Sequence, residues 1–268
     1  MLDPVGKAID LAAPWLINSL TDERSSANTL AAAVVACTIC SIMNSNWLAS
    51  TRDAVALVLE HRRFDEGAPL DQRLLVYACL ACYLINVDAT TLLRRAEGAI
   101  APEHLRFIAG LIPSREHSCG TIEINDSIFE EILEANDETL VSLCRKIRCA
   151  GVALCSESDM AFLGELLAGR AFVALRGNRI ELGSEIVRAL RSLRVRDTFP
   201  DESVRYLLAQ QRADGSFGYM SPFQSPANPE RLFRFRVMYS YLSLLAMFDV
   251  VHSSPFEISG RHALVTSR

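Results

Sequence analysis

The chain has no excess of basic charge. Its 27 Lys and Arg stand against 32 Asp and Glu, a net charge of −5, where a general nucleic-acid binder would be basic. It has no apolar run of membrane length. The longest, residues 30–43 and 74–85, fall short of the roughly 18–20 residues a spanning helix needs. The first sixteen residues, MLDPVGKAIDLAAPWL, lack the basic n-region and cleavage site of a secretory signal. There is no Walker loop, no Gly-rich dinucleotide turn after a strand, no His-Glu-x-x-His and no nucleophile elbow. These gaps argue against the common nucleotide-binding, zinc-protease and hydrolase-type enzymes. Strand alternation is scarce, no repeat is self-similar, and no composition shift marks a boundary.

What is present is apolar and helical. Hydrophobic residues make up 50% of the chain and charged residues 22%, enough to build a large core. Periodicity predicts helices over residues 3–20, 30–43, 50–61, 71–86, 88–98, 104–112, 127–135, 137–154, 158–175, 182–193, 201–211 and 230–250. Residues 113–126 form the least regular interior segment. Residues 30–43 and 74–85 are apolar on nearly every side and must be buried all round, whereas residues 50–61 carry one apolar face, Ala54, Val55, Val58 and Leu59. Amphipathic helices outside and apolar helices inside make an all-α fold of about ten to twelve helices. It is expected as one domain, 1–268, with a loosely held tail from 251.

The most specific stretch is residues 206–219, YLLAQQRADGSFGY. Tyr206, Leu207 and Gln210 fit the last turns of a helix. Asp214-Gly215 forms a tight turn in which glycine supplies positive φ. Gln211 can hydrogen-bond nearby backbone groups, and Phe217 folds back onto the helix. The spacing aromatic–aliphatic–three–Gln–three–Gly–one–aromatic resembles the repeat motif of triterpene cyclases, and a similar turn occurs in protein prenyltransferase β subunits. It covers 14 residues of 268 and occurs once, with Phe217 where the cyclases have Trp. The resemblance implies an α/α toroid or incomplete α/α barrel of helix pairs around a central cavity, with the motif as a structural clamp. It assigns no catalytic role to Gln211 or Phe217. The acidic motifs of both cyclase classes are absent: Glu157-Ser158-Asp159 lacks the adjacent pair of one. Asn136-Asp137 begins like a metal motif of the other, but Leu140 and Cys144 stand where its ligands belong.

Several clusters carry chemistry. Cys37-x-x-Cys40 and Cys79-x-x-Cys82 have zinc-like spacing. Both lie in apolar helical runs without knuckle glycines, so core packing is the expected role, and neither a metal nor another cofactor is expected. The eight cysteines in a chain without a secretory signal read as reduced thiols of a cytoplasmic protein. His117 and Cys119, in Arg115–Gly120, can form a base–nucleophile pair. Arg231 and Arg234 share a helix face, Arg236 points elsewhere, and Phe233, Phe235, Tyr239 and Tyr241 are interleaved. Arginines there can hold a phosphate or carboxylate and the aromatics can line an apolar pocket, the alternative being snorkelling arginines over packed aromatics. The acids of residues 123–138 read as a solvated helix face, with Arg188, Arg191 and Arg194 as a basic counterpart.

Two functions follow as expectations. The first is a small-molecule biosynthetic enzyme, with acid–base or nucleophilic chemistry on a hydrophobic or isoprenoid-like substrate. His117 and Cys119 would be reactive, with Arg231, Arg234, Phe235 and Tyr239 binding substrate. The second is a non-catalytic helical scaffold for a peptide or protein partner, which admits a homodimer. Neither calls for nucleic acid or a membrane span.

Overall fold

The computed structural model describes residues 2–61, 71–90, 92, 119–122, 126–152, 157–193, 199–218 and 228–251. The fold is all-α. Ten α-helices run through the described residues: α1 (Leu2–Thr21), α2 (Ala27–Met43), α3 (Leu48–His61), α4 (Gln72–Leu84), α5 (Asp126–Glu134), α6 (Asp137–Cys149), α7 (Glu157–Arg176), α8 (Ile180–Ser192), α9 (Phe199–Ala209) and α10 (Pro229–Val251). Among the described residues no helix is long and apolar enough to cross a membrane. The predicted helix 88–98 is described only at 88–90 and 92; helix 104–112 and the tail beyond 251 lie outside the described residues.

Two short strands, β1 (Cys119–Ile122) and β2 (Ala150–Val152), pair in parallel, with α5 and α6 as the crossover between them. The helix expected over 137–154 therefore stops at Cys149. Gly151 and β-branched Val152 are poor helix formers, and the backbone of Ala150–Val152 is satisfied by β1 instead. The helix predicted to start at Ser127 begins one residue earlier, at Asp126.

The chain divides into two compact units, the division falling inside α9 after Leu207 and inside α10 after Leu244. The first unit holds α1–α4, the turn after α9 and residues 229–244 of α10. Its centre is α2, buried continuously from Thr29 to Ser41 and packed by α1, α3 and α4. A helix apolar on every side has no other stable place. Ser26 caps α2 by accepting from Thr29 N, and Asp71, just before α4, accepts the first intrahelical bond from Leu75 N at 3.0 Å. Ser41 donates to Thr51 Oγ1 at 2.7 Å, joining α2 to α3. Asp10 of α1 accepts from Asn44 Nδ2 at 2.7 Å and from Trp47 Nε1 at 2.9 Å.

The second unit holds β1, β2, α5–α8, α9 through Leu207 and the last turns of α10. Helix α8 packs against α6 and α7, and Ile132, Leu140, Cys144, Leu163, Leu167, Ala171, Ile186 and Ala189 lie at the centre of its core. The α7–α8 turn has Asn178 at φ 59°, a left-handed position asparagine tolerates. Arg188 is buried, 3% exposed, and pairs with Asp249, 6% exposed, and with Glu185 at 3.6 Å. Arg145 reaches Glu185 at 3.2 Å and Glu181 at 3.1 Å. Arg188 is thus a core cation rather than part of a basic face, while Glu130, Glu131 and Glu134 are exposed, as a solvated acidic face requires.

A candidate binding cleft beside the Gln211 turn

The turn after α9 is built as its residues dictate. Gln211 and Phe217 form an antiparallel bridge, closed by Arg212 N to Ser216 O at 2.8 Å and Gly218 N to Gln210 O at 3.0 Å. Gly215 sits at φ 89° and Gly218 at φ 102°, the left-handed region that favours glycine. The Gln211 amide donates to Ala8 O at 2.7 Å and to Gly215 O at 3.2 Å, fastening the turn to α1. Phe217 is fully buried, and its N–H donates to Ser240 Oγ at 2.9 Å, fastening it to α10. Asp214 Oδ1 accepts from Ser216 N at 3.0 Å and Ser216 Oγ at 2.6 Å.

Beside this turn α1 and α10 enclose a cleft of about 330 Å³. Trp15, Asn18, Ser19 and Asp22 line one side, and Pro229, Leu232, Phe233 and Arg236 the other, with Arg24. Both sets are spaced i, i+3, i+4, i+7, one face of a helix each. Pro229 opens α10, and Asn228 accepts from Glu230 N at 2.8 Å as its cap. On the other side the chain leaves α1 in an Asx turn, Arg24 N donating to Asp22 Oδ1 at 2.9 Å.

The floor is aromatic, the Trp15 and Phe233 rings 6.2 Å apart and tilted by 49°. The Arg24 guanidinium lies 4.3 Å from the Phe233 centroid, in cation–π range. It also grips both carboxylate oxygens of Asp22, at 2.8 and 2.6 Å, and those bonds raise its pKa above the ordinary arginine value. Arg236 is different. Its η1 nitrogen stands 3.6 Å from Asp214 Oδ2, beyond hydrogen-bond range, and its buried Nε has no partner among the described residues. Burial, and then the neighbouring Arg212, hold the Arg236 pKa below its ordinary value against the pull of Asp214. For Asp214, burial alone would raise the carboxyl pKa. The Ser216 bonds and the charges of Arg236 and Arg212 outweigh it and leave that pKa lowered.

Chemically the cleft is equipped to bind. Among the described residues its lining has no Cys, His, Lys or Tyr, Ser19 Oγ donates to Leu16 O at 2.6 Å, and Asp22 accepts from Arg24. Among the described residues no group of three or more His, Cys, Asp or Glu is arranged to hold a metal ion. Cys37, Cys40, Cys79 and Cys82 are buried free thiols of α2 and α4. Burial raises all four, Cys79 and Cys82 to about 12.

Of the residues singled out from the sequence, His117 lies outside the described residues and Cys119 is described only as backbone of β1. Arg231 is exposed and does not line the cleft. Arg234 lies beside the cleft's Arg24, donating to its carbonyl at 3.2 Å and pairing with Glu230. Phe235 and Tyr239 stack 5.4 Å apart over Gly218, where a Cβ would come within 3.0 Å of either ring. They clamp the turn. Sequence reasoning set Arg236 apart from Arg231 and Arg234 but not as a cleft residue, and passed over Trp15, Asn18 and Asp22. The available signal was the matching i, i+3, i+4, i+7 spacing in two segments. No protein-family model matches the chain, and neither a curated protein nor a solved structure matches it.

Proposed function

We propose that the protein is a helical small-molecule-binding protein, and that the cleft between the Trp15 face of α1 and the Phe233 face of α10 takes a hydrophobic ligand. The carrying observation is the aromatic floor: Trp15, Phe233 and Leu232 offer apolar surface inside a concavity of about 330 Å³, at the small end of ligand pockets. The lining residues favour binding over bond-making. The enzymatic reading has His117 and Cys119 acting on a hydrophobic or isoprenoid-like substrate, and both side chains lie outside the described residues. The α/α-toroid resemblance rests on the Gln211 turn, which is hydrogen-bonded to α1 at Ala8 and to α10 at Ser240.

The chain has two tryptophans, and Trp47 is tied to Asp10 away from the lining. Trp47→Phe therefore leaves Trp15 as the sole reporter. A neutral aromatic amide, phenylacetamide, is expected to change Trp15 emission saturably, and Phe233→Leu to weaken the response. No saturable change up to about 10 mM, a concentration corresponding to under about 3 kcal/mol of binding, would sink the proposal; so would a response unaltered by Phe233→Leu.

A further inference from the structure

We infer, resting on the small-molecule reading of this cleft, that its natural ligand is an organic monoanion whose carboxylate or equivalent group is received by Arg236. The charges around the cleft carry the inference. Arg24 brings no spare charge, since both of its contacts to Asp22 are hydrogen bonds below 3 Å. Arg234 is matched by Glu230 on its own helix. Among the described residues the one carboxylate paired with Arg236 is Asp214, at 3.6 Å and outside hydrogen-bond range. Asp214 Oδ2 is 3.6 Å from Arg236 and 3.9 Å from Arg212, so one carboxylate oxygen faces two guanidinium groups. The other oxygen is occupied by Ser216.

The Arg236 side chain is 23% exposed. It lines the same cleft as the Trp15–Phe233 floor, one turn along α10 from Phe233. A guanidinium that has lost most of its water and kept unused donors is costly until an anion completes it. Its planar fork fits a carboxylate better than any neutral group. Charge and floor together select a molecule with a flat apolar body and one anionic end. A dianion is disfavoured because Asp22 lines the same cleft and Asp214 already stands 3.6 Å from Arg236.

The test uses phenylacetate and phenylacetamide, which share the ring and differ in charge, on the full chain carrying Trp47→Phe. Phenylacetate is expected to bind about tenfold more tightly, the size of one charge-assisted hydrogen bond over a neutral one. Arg236→Gln should reduce the preference to less than about twofold, and Arg236→Lys should retain part of it. Arg231→Gln, an exposed arginine off the lining, should change neither. Raising salt should weaken only phenylacetate. Equal Kd values for the two probes in the Trp47→Phe protein overturn the inference and leave the small-molecule reading standing. That comparison needs no Arg236 variant to fold. A preference that survives Arg236→Gln also overturns it. If neither probe perturbs Trp15, the reading of the cleft falls and this inference with it.

Discussion

Replacing Gly215 with alanine should be among the most damaging single-methyl changes in the first unit. A Cβ at this position would lie 1.9 Å from Leu11 O and 2.6 Å from Leu11 C. Both are backbone atoms of α1, so no side-chain rotation relieves the overlap. Ordinary contact begins near 3.4 Å, so turn and helix must separate by about 1.5 Å. That takes the Gln211–Ala8 bond out of range, at about 1 kcal/mol. The φ of 89° adds about 1–2 kcal/mol for alanine. Phe217, fully buried beneath the turn, loses part of the 3–5 kcal/mol that deleting a buried phenylalanine costs. The total is about 3–5 kcal/mol, a large share of a typical domain's stability.

Urea unfolding followed by tryptophan emission measures this directly, because Trp15 and Trp47 both lie in the unit that holds the turn. With a slope near 2 kcal/mol/M the midpoint should fall by about 1.5–2.5 M. Two companions sharpen the result. Gly6→Ala, on α1 of the same unit with nothing within 4 Å of its Cβ, should raise stability by about 0.5–1 kcal/mol. Gly215→Asn tolerates positive φ but keeps the clash, so it should remain destabilised. A midpoint for Gly215→Ala within about 0.3 M of wild type, or recovery by asparagine, would refute the close-approach reasoning.

Three further outcomes are expected. Arg188→Met should cost about 3–5 kcal/mol by stranding the buried Asp249 carboxylate, and adding Asp249→Leu should restore most of it; a single variant within 1 kcal/mol of wild type in thermal unfolding would contradict this. In native protein at pH 8, a thiol reagent read by peptide mass spectrometry should leave Cys37, Cys40, Cys79, Cys82 and Cys144 unmodified and reach all five in urea; native labelling of any of them would contradict their burial. The folded pKa of Asp214 is lowered, so its stabilisation is fully present above the unfolded value of about 3.9 and is lost as pH falls through the folded one. The stability gap between wild type and Asp214→Asn should therefore be constant above about pH 5 and close towards pH 3; a gap that widens on acidification would reverse the sign.

What was legible in the sequence is what depends on near neighbours. Helix α2 could be read as buried because an all-apolar helix needs covering whatever covers it. The Gly215 turn could be read because its φ and the Gln211 amide answer requirements set within a few residues. The same limit explains the misses. Ala150–Val152 is three residues long, too short for alternation to register, and becomes a strand only because β1, some thirty residues earlier, takes its hydrogen bonds. The cleft needs the Trp15 face to meet the Phe233 face across more than two hundred residues of chain. In the sequence Arg236 groups with Arg231 and Arg234 by charge, whereas its helix face is defined by Pro229, Leu232 and Phe233. Gln211 connects the two classes of inference. Its side chain was legible as one seeking backbone partners, but the principal partner, Ala8 O, is 203 residues away. A local motif thus announced that a distant contact exists, and only the fold identified α1 as its target and so as one wall of the cleft.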